Sequence, residues 1–297
     1  MIFRTLGKTG LKVSAISLGT WQFGGEWNKT FTQNEVDELL DTAAAGGINL
    51  IDTAECYGGH LAESLIGNYL SRRDRTKWFV ATKFGHKFLG FNNRQWEMEP
   101  HTVLRQLDLS LQALKTDYID IYQFHSGSNE LFDQPNLWEV LLKQKEKGKI
   151  RFLGISISSK ADSYQAINAS KVGADVLQIL YNRLDRRAEK DFFPYAQEQN
   201  LGVLVRVPLA GGFLTGKYKT GCTFPKTDIR STYPTEKIIS WIKEAEEIQK
   251  NEIPPGVSFS QWAIAWCLKN PIVHSVIVGC KTLDQLKNNL NLDLSGN

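Results

Sequence analysis

The stretch INLIDTAECYGGHLAES, residues 48–64, reads as one complete building unit. Ile48, Leu50 and Ile51 run into Asp52, an apolar run too short for a helix and bounded upstream by Gly46 and Gly47. A turn-forming segment holding Tyr57, Gly58 and Gly59 follows, and a helical pattern begins near Ala62. Upstream, Val36, Leu39, Leu40, Ala43 and Ala44 keep the spacing of a helix face, behind a Thr32–Glu35 capping box. Helix, glycine stop, short apolar run, loop and helix thus succeed one another, the order that builds a parallel sheet.

The unit recurs along the chain. AISLG, NLID, WFVATK, YIDIYQFH, IRFLGIS, DVLQIL, GVLVRV and VHSVIV are eight strand candidates, several preceded by a glycine such as Gly148, Gly173 or Gly202. Between them, Leu104, Leu107, Leu111 and Leu114 mark one helix, and Leu283, Leu286 and Leu290 another. Ser258–Gln261 and Thr282–Gln285 repeat the capping-box spacing. Eight strand–helix units in 297 residues predict an α/β fold, a (β/α)8 barrel, as one domain over residues 1–297. A doubly wound sheet would carry G-x-G-x-x-G after an early strand, and that fingerprint is absent. The opening IFRTLGKTGLKV predicts a hairpin, turning near Gly7–Gly10, that plugs the barrel's bottom. Residues 207–235 predict a long irregular loop after the seventh strand, a functional lid or a partly disordered segment, with an added helix near Glu236–Asn251.

With 42% hydrophobic residues the chain has material for a large core. Its 35 basic and 32 acidic residues nearly cancel, which argues against nucleic acid or a membrane surface as partner. The mixed LLKQKEKGKIR segment reads as a solvated helix face. No signal-peptide core or membrane-length apolar run occurs, so a cytoplasmic location is expected. Cys56, Cys222, Cys267 and Cys280 form no C-x-x-C pair and read as reduced thiols, Cys56 as an oxidation-sensitive neighbour of Tyr57.

Three consecutive strand candidates end on Asp52, Lys83 and His125, with Tyr57 in the adjoining loop. One polar strand end is an ordinary exit to solvent. Three in succession, at the barrel end where such folds keep their chemistry, form a candidate proton-transfer site. An ammonium beside a phenol favours the phenolate and makes the phenol a better acid. Lys83 suits that part, Asp52 holds Lys83 charged, and His125 orients a substrate oxygen. Such a group protonates a carbonyl oxygen as it becomes an alkoxide, and the hydride must then come from a nicotinamide cofactor. A metal hydrolase needs clustered His, Asp or Cys ligands; with no H-x-H at a strand end, no metal is expected. A Schiff-base aldolase needs a neutral lysine, which Asp52 opposes. His86 reads as solvated or capping, and His60, His101 and His274 as surface or helix-end residues.

The segments DTAECYGGHLAESLIGNYL, VATKFG, YIDIYQFH and GKIRFLGIS resemble those of the aldo-keto reductases, as do VPLAGGFLTGKY and SVIVGCKTLDQLKNN. The resemblance runs from about Phe3 to about Asn291, towards the branch that includes potassium-channel β-subunits. It implies a (β/α)8 barrel binding NADP(H), with NAD(H) possible, and a small carbonyl or sugar-like substrate. Tyr57 is then the proton donor, assisted by Lys83, Asp52 and His125. Trp21 and Phe23 become pocket walls, with Trp27 less so.

Carried over residue by residue, Gln178 and Ser156 face the nicotinamide carboxamide, although Ile157 stands where an asparagine is usual. Thr20, Trp21 and Asp52 lie at the same end. Arg206 replaces a stacking aromatic before Pro208, Leu209, Ala210 and Gly211, and a guanidinium also stacks. Lys217 belongs to a strap over the pyrophosphate. Gly279, Lys281, Gln285, Asn288 and Asn289 serve the adenosine end, with Gln285 and Asn288 where arginine and glutamate are usual. The short tail after the last helix predicts no long C-terminal loop, which favours small or polar substrates. A dinucleotide-binding regulatory module of the same fold is the alternative.

Overall fold

The computed structural model describes residues 1–292; residues 293–297, the last of the expected 1–297 domain and most of the tail after the last helix, lie outside the described residues. Eight strands close a parallel barrel: β1 Ile16–Gly19, β2 Leu50–Asp52, β3 Phe79–Phe84, β4 Ile119–His125, β5 Ile150–Ser156, β6 Ala174–Leu180, β7 Gly202–Arg206 and β8 Ser275–Gly279. Each pairs with its neighbour in sequence, and β8 closes on β1 with Gly279 opposite Gly19. Closure removes both sheet edges.

Helices return the chain between strands. They include α1 Gln33–Ala45, α2 Leu61–Leu70, α3 Pro100–Leu114, α4 Leu137–Glu146, α5 Phe193–Glu198, α6 Thr235–Asn251, α7 Phe259–Leu268 and α8 Leu283–Leu290. The Thr32–Glu35 capping box ahead of α1 is complete in both directions. Ahead of α8, Thr282 accepts from the Gln285 N–H, but the Gln285 side chain turns to the Lys281 N–H instead. Ser258 does not cap α7; its hydroxyl meets Ser260, which competes locally for it.

Side chains alternate along each strand, so inward positions stack in layers. Leu50, Ala81, Ile121, Val176, Leu204 and Ile277 form an apolar layer. The N-terminal hairpin, Phe3–Thr5 with Lys12–Ser14, drives Leu6, Leu11 and Val13 into that layer from below. Water is therefore excluded under the next layer, two residues further along the same strands. That layer is polar: Asp52, Lys83, Gln123, Gln178 and Arg206, with Gly279 leaving a gap.

Two features differ from the sequence reading. A second hairpin, His86–Gly90 with Asn93–Trp96, rises from the end of β3; Gly90 and Asn92 take positive φ in its turn. Residues 207–235 are not an open loop. Phe213, Leu214 and Ile229 are buried, and Phe213 and Leu214 share a small core with Ile242, Ala245 and Ile248 of α6 and with Phe259 and Ala263 of α7. Among the described residues no helix is long and apolar enough to cross a membrane.

Candidate active site

The polar strand ends converge. Lys83, only 1% exposed, donates from Nζ to Asp52 Oδ1 at 2.8 Å and to the Thr53 carbonyl at 2.6 Å. Its third contact is the Tyr57 hydroxyl at 3.3 Å. An ammonium has three donors, so Lys83 is fully committed. The other Asp52 oxygen accepts from Gln178 Nε2 at 2.6 Å and Gln123 Nε2 at 3.4 Å. Both Gln178 amide hydrogens are then in use, the second towards Gln123 Oε1 at 3.2 Å. Gln178 Oε1 keeps only a long contact from Ser156 Oγ, 3.4 Å. Gln123 lies two residues before His125 on the same inward face, a period-2 signal that the sequence already carried.

Burial sets the charges. It acts to lower the Lys83 ammonium, but Asp52 and Tyr57 outweigh it and leave the pKa raised. Burial pushes the Tyr57 phenol up to about 12; Lys83 pulls the other way and Asp52 adds to the rise. The sequence reading expected Lys83 to make the phenol more acidic, and its pull is present but smaller than desolvation. Tyr57 therefore holds its proton at neutral pH. Burial, then His86, Lys83, Arg206 and Arg94, holds His125 well below the ordinary histidine range, so its imidazole is neutral.

Tyr57 is aimed by its surroundings. Trp21 stacks beside it with ring centroids 5.9 Å apart, and His125 meets it edge-on at 6.3 Å. Gly24 passes so close that a Cβ there would lie 2.6 Å from the Tyr57 carbonyl carbon. Trp21 Nε1 donates to Glu26 at 2.7 Å, and Glu26 also accepts from Arg94 of the second hairpin and from the Asn92 N–H. Phe23, expected as a pocket wall, is instead buried in the core against Phe31. The turn at Gly24 and Gly25 directs it inward, away from the cleft.

A cleft of about 760 Å3 runs from this cluster across the barrel mouth. Thr20, Trp21, Trp27, Asp52, Tyr57, His125, Ser156, Gln178, Arg206, Pro208, Leu209, Gly211, Lys217, Gly279, Lys281, Gln285, Asn288 and Asn289, named from the strand ends or implied by the family resemblance, all border it. Ala210 does not; its methyl is buried beside Phe213, so it has only backbone to offer. Arg206 donates to the Ile157 carbonyl at 3.0 Å, and its buried Nε has no partner. Just beyond it, Val207 sits at φ 60°, strained for a β-branched residue, with its carbonyl held by Asn182 at 3.0 Å.

The loop after β1 reaches across the cleft. Trp27 pairs with Asp228 as an isolated antiparallel bridge, Asn28 N–H donates to Thr227, and Ile229 N–H donates to Glu26. Lys281 Nζ binds the Trp27 carbonyl and lies 3.5 Å from Asp228, which is also paired with Arg230. Asp228 and Arg230 carried no sequence signal, because they belong to an irregular stretch. His86, read as solvated or capping, is half-buried at the cleft with Nδ1 3.2 Å from His125 Nδ1. His274, read as a surface residue, accepts the Val203 N–H at 3.0 Å.

The chain matches the Aldo/keto reductase family over residues 15–293. It is 31% identical to the uncharacterised oxidoreductase YrpG of Bacillus subtilis, covering 98% of this chain and 90% of that one. It is 30% identical to an NADH-specific methylglyoxal reductase of Escherichia coli (98% and 94%). It is 29% identical to a Schizosaccharomyces pombe protein that bears the name "Putative voltage-gated potassium channel subunit beta" (97% and 87%). Among solved structures, it resembles the holo form of aldo-keto reductase AKR11C1 from Bacillus halodurans, with a TM-score of 0.81, 28% identity and coverage of 98% and 90%. The glycerol dehydrogenase AKR11B4 from Gluconobacter oxydans follows at 0.80, 30% identity and coverage of 98% and 89%. Barrel, strand-end cluster and whole-length match agree, and the chain belongs to the aldo/keto reductase family of oxidoreductases.

Proposed function

We propose that the protein is an NADP(H)-using carbonyl reductase, working reversibly on small aldehydes, ketones or sugar-like substrates, with Tyr57 as its general acid and base. The observation that carries this reading is the Asp52–Lys83–Tyr57 chain of contacts, 2.8 and 3.3 Å long, closed off from water below and open to the cleft above.

The donor set suits a dinucleotide. The partnerless Nε of Arg206, the open lone pair of Gln178 Oε1 and Ser156 offer polar contacts at the chemical end. Lys217 and the N-terminus of α8 offer positive charge at the other. When bound, the nicotinamide supplies or accepts the hydride. Tyr57 Oη gives its proton to the carbonyl oxygen in reduction and takes it back in oxidation. Lys83, fixed by Asp52 and the Thr53 carbonyl, stabilises the phenolate left behind. Neutral His125 positions the carbonyl oxygen, and Trp21 excludes water from one side of the Tyr57 ring.

Discrimination for the 2′-phosphate is weak in this reading. Lys281 spends its charge on Asp228 and the Trp27 carbonyl, and Gln285 and Asn288 are uncharged. NAD(H) therefore also serves, in a chain expected to be cytoplasmic. The test is a screen of aldehydes, ketones and sugars with either dinucleotide, beside Tyr57→Phe. The variant is expected to keep dinucleotide binding and lose about 10²–10⁴ in turnover. Near-normal turnover would remove Tyr57 from the role, and absence of turnover with every substrate would favour the regulatory module.

A further inference from the structure

Glu55, Cys56, His86 and His125 come from the loop after β2, the second hairpin and the end of β4, and each presents a donor atom within 4.8 Å of the others. The His86 and His125 Nδ1 atoms face each other at 3.2 Å, and Cys56 Sγ lies 3.7 Å from His125 Nδ1. Glu55 Oε1 accepts the His86 N–H at 2.9 Å, while the buried Oε2 has no partner at all. A hydrogen bond between the two imidazoles satisfies two of these atoms and leaves that carboxylate oxygen bare.

A tetrahedral centre with Zn–N of about 2.05 Å and Zn–S of about 2.3 Å requires N···N near ~3.3 Å and S···N near ~3.6 Å. The observed 3.2 and 3.7 Å meet both requirements. We propose that this cluster is a binding site for a zinc-class divalent ion at the substrate end of the cleft, and that its occupation inhibits the enzyme. Thiolate, two imidazoles and one carboxylate are the donor mix that favours zinc over magnesium or calcium. Binding replaces the Cys56 thiol proton and the proton that burial keeps on the Glu55 carboxyl, whose pKa is raised to about 8, and releases both to solvent; nothing is oxidised or reduced. One thiolate and one carboxylate cancel the ion's two charges, so the loaded site is neutral within its buried surroundings. Arg94, which faces Cys56, is paired with Glu26 and so brings no free positive charge. Cys56, His86 and His125 line the cleft, which gives the ion its entry path.

The inhibitory part rests on the reductase reading, because the ion withdraws His125 from the carbonyl; the binding part does not. Titration of the full chain with Co2+ separates them. One equivalent should produce a thiolate-to-cobalt charge-transfer band with tetrahedral ligand-field absorption. Cys56→Ser should abolish the charge-transfer band, and His86→Gln, on the exposed hairpin, should weaken binding by on the order of tenfold or more. Cys222→Ser, within residues 207–235 and packed on their separate core, should leave the spectrum intact. No spectrum in the wild type, or the same spectrum and affinity in both Cys56→Ser and His86→Gln, overturns the site. In turnover, Zn2+ should compete with the carbonyl substrate and not with the dinucleotide. An active enzyme that binds cobalt yet is indifferent to Zn2+ overturns the inhibition. A chain that binds cobalt but never turns over refutes the reductase reading and leaves the metal site standing.

Discussion

Removal of the Asp52–Lys83 pair, one partner at a time and then together, measures what holds the site. Both side chains are almost fully buried, and each has lost its hydration. Taking one partner from a buried pair costs about 3–5 kcal/mol, because the survivor stays charged and uncompensated. The two single variants should not cost the same. Lys83→Met leaves Asp52 with amide donors from Gln178 at 2.6 Å and Gln123 at 3.4 Å, which places it near the lower limit. Asp52→Asn leaves an ammonium with only neutral acceptors, the new amide oxygen, the Thr53 carbonyl and the Tyr57 hydroxyl, which places it near the upper. In Asp52→Asn with Lys83→Met no charge remains, so the pair should cost about 2–3 kcal/mol less than the sum of the singles. Urea unfolding followed by the fluorescence of the eight tryptophans reads this directly. With a slope of roughly 3 kcal/mol per molar, Asp52→Asn should move the midpoint by more than about 1 M. Additivity within about 0.5 kcal/mol, or a loss below about 1 kcal/mol for Asp52→Asn, would show that Lys83 is not held charged by Asp52.

Gly24→Ala places a methyl 2.6 Å from the Tyr57 carbonyl carbon and 2.9 Å from the Gly58 nitrogen, both backbone atoms. It should cost about 1–3 kcal/mol and depress turnover by displacing Tyr57, and unchanged stability and rate would contradict the close approach. His274 accepts the Val203 N–H, and burial, then Arg4, lowers its pKa to about 4. Its contribution is complete above the unfolded value of about 6.5 and is lost as the pH falls towards 4. His274 should account for about 3 kcal/mol of the stability lost over that window, beside the shares of the buried His86 and His125, and His274→Asn should reduce the slope by that share; an unaltered slope in the variant would assign the drop elsewhere. The kcat/KM ratio for NADPH over NADH should stay below about 100, since no more than one charged hydrogen bond is free for the 2′-phosphate. A larger ratio would mean that Lys281 leaves Asp228 when the dinucleotide binds.

The barrel was legible because its units are local. A glycine stop, an apolar run and an i, i+4 stripe lie within a few dozen residues of each other where they occur, and the apolar run repeats eight times around a closed sheet. Asp52, Lys83 and His125 were legible for the same reason: a strand end is a sequence position, and alternation fixes which residue points inward. Gln123 was equally available by that count from His125. The N-terminal hairpin also showed, since Gly7 and Gly10 flank its turn.

Contacts between loops were not available in that way. Residues 207–235 have no period, so nothing in them announced that Asp228 would meet Trp27 and Lys281, some two hundred and some fifty positions away. The orientation of Phe23 depended on the turn after it, not on its aromatic character. The sequence by itself determined the eightfold repeat and the inward polar strand ends, because backbone periodicity decides both. Only the tertiary structure decided that Tyr57 keeps its proton and that Cys56, Glu55, His86 and His125 share one small volume. Desolvation and donor spacing belong to the packed interior, where segments distant in the chain exclude water from one another.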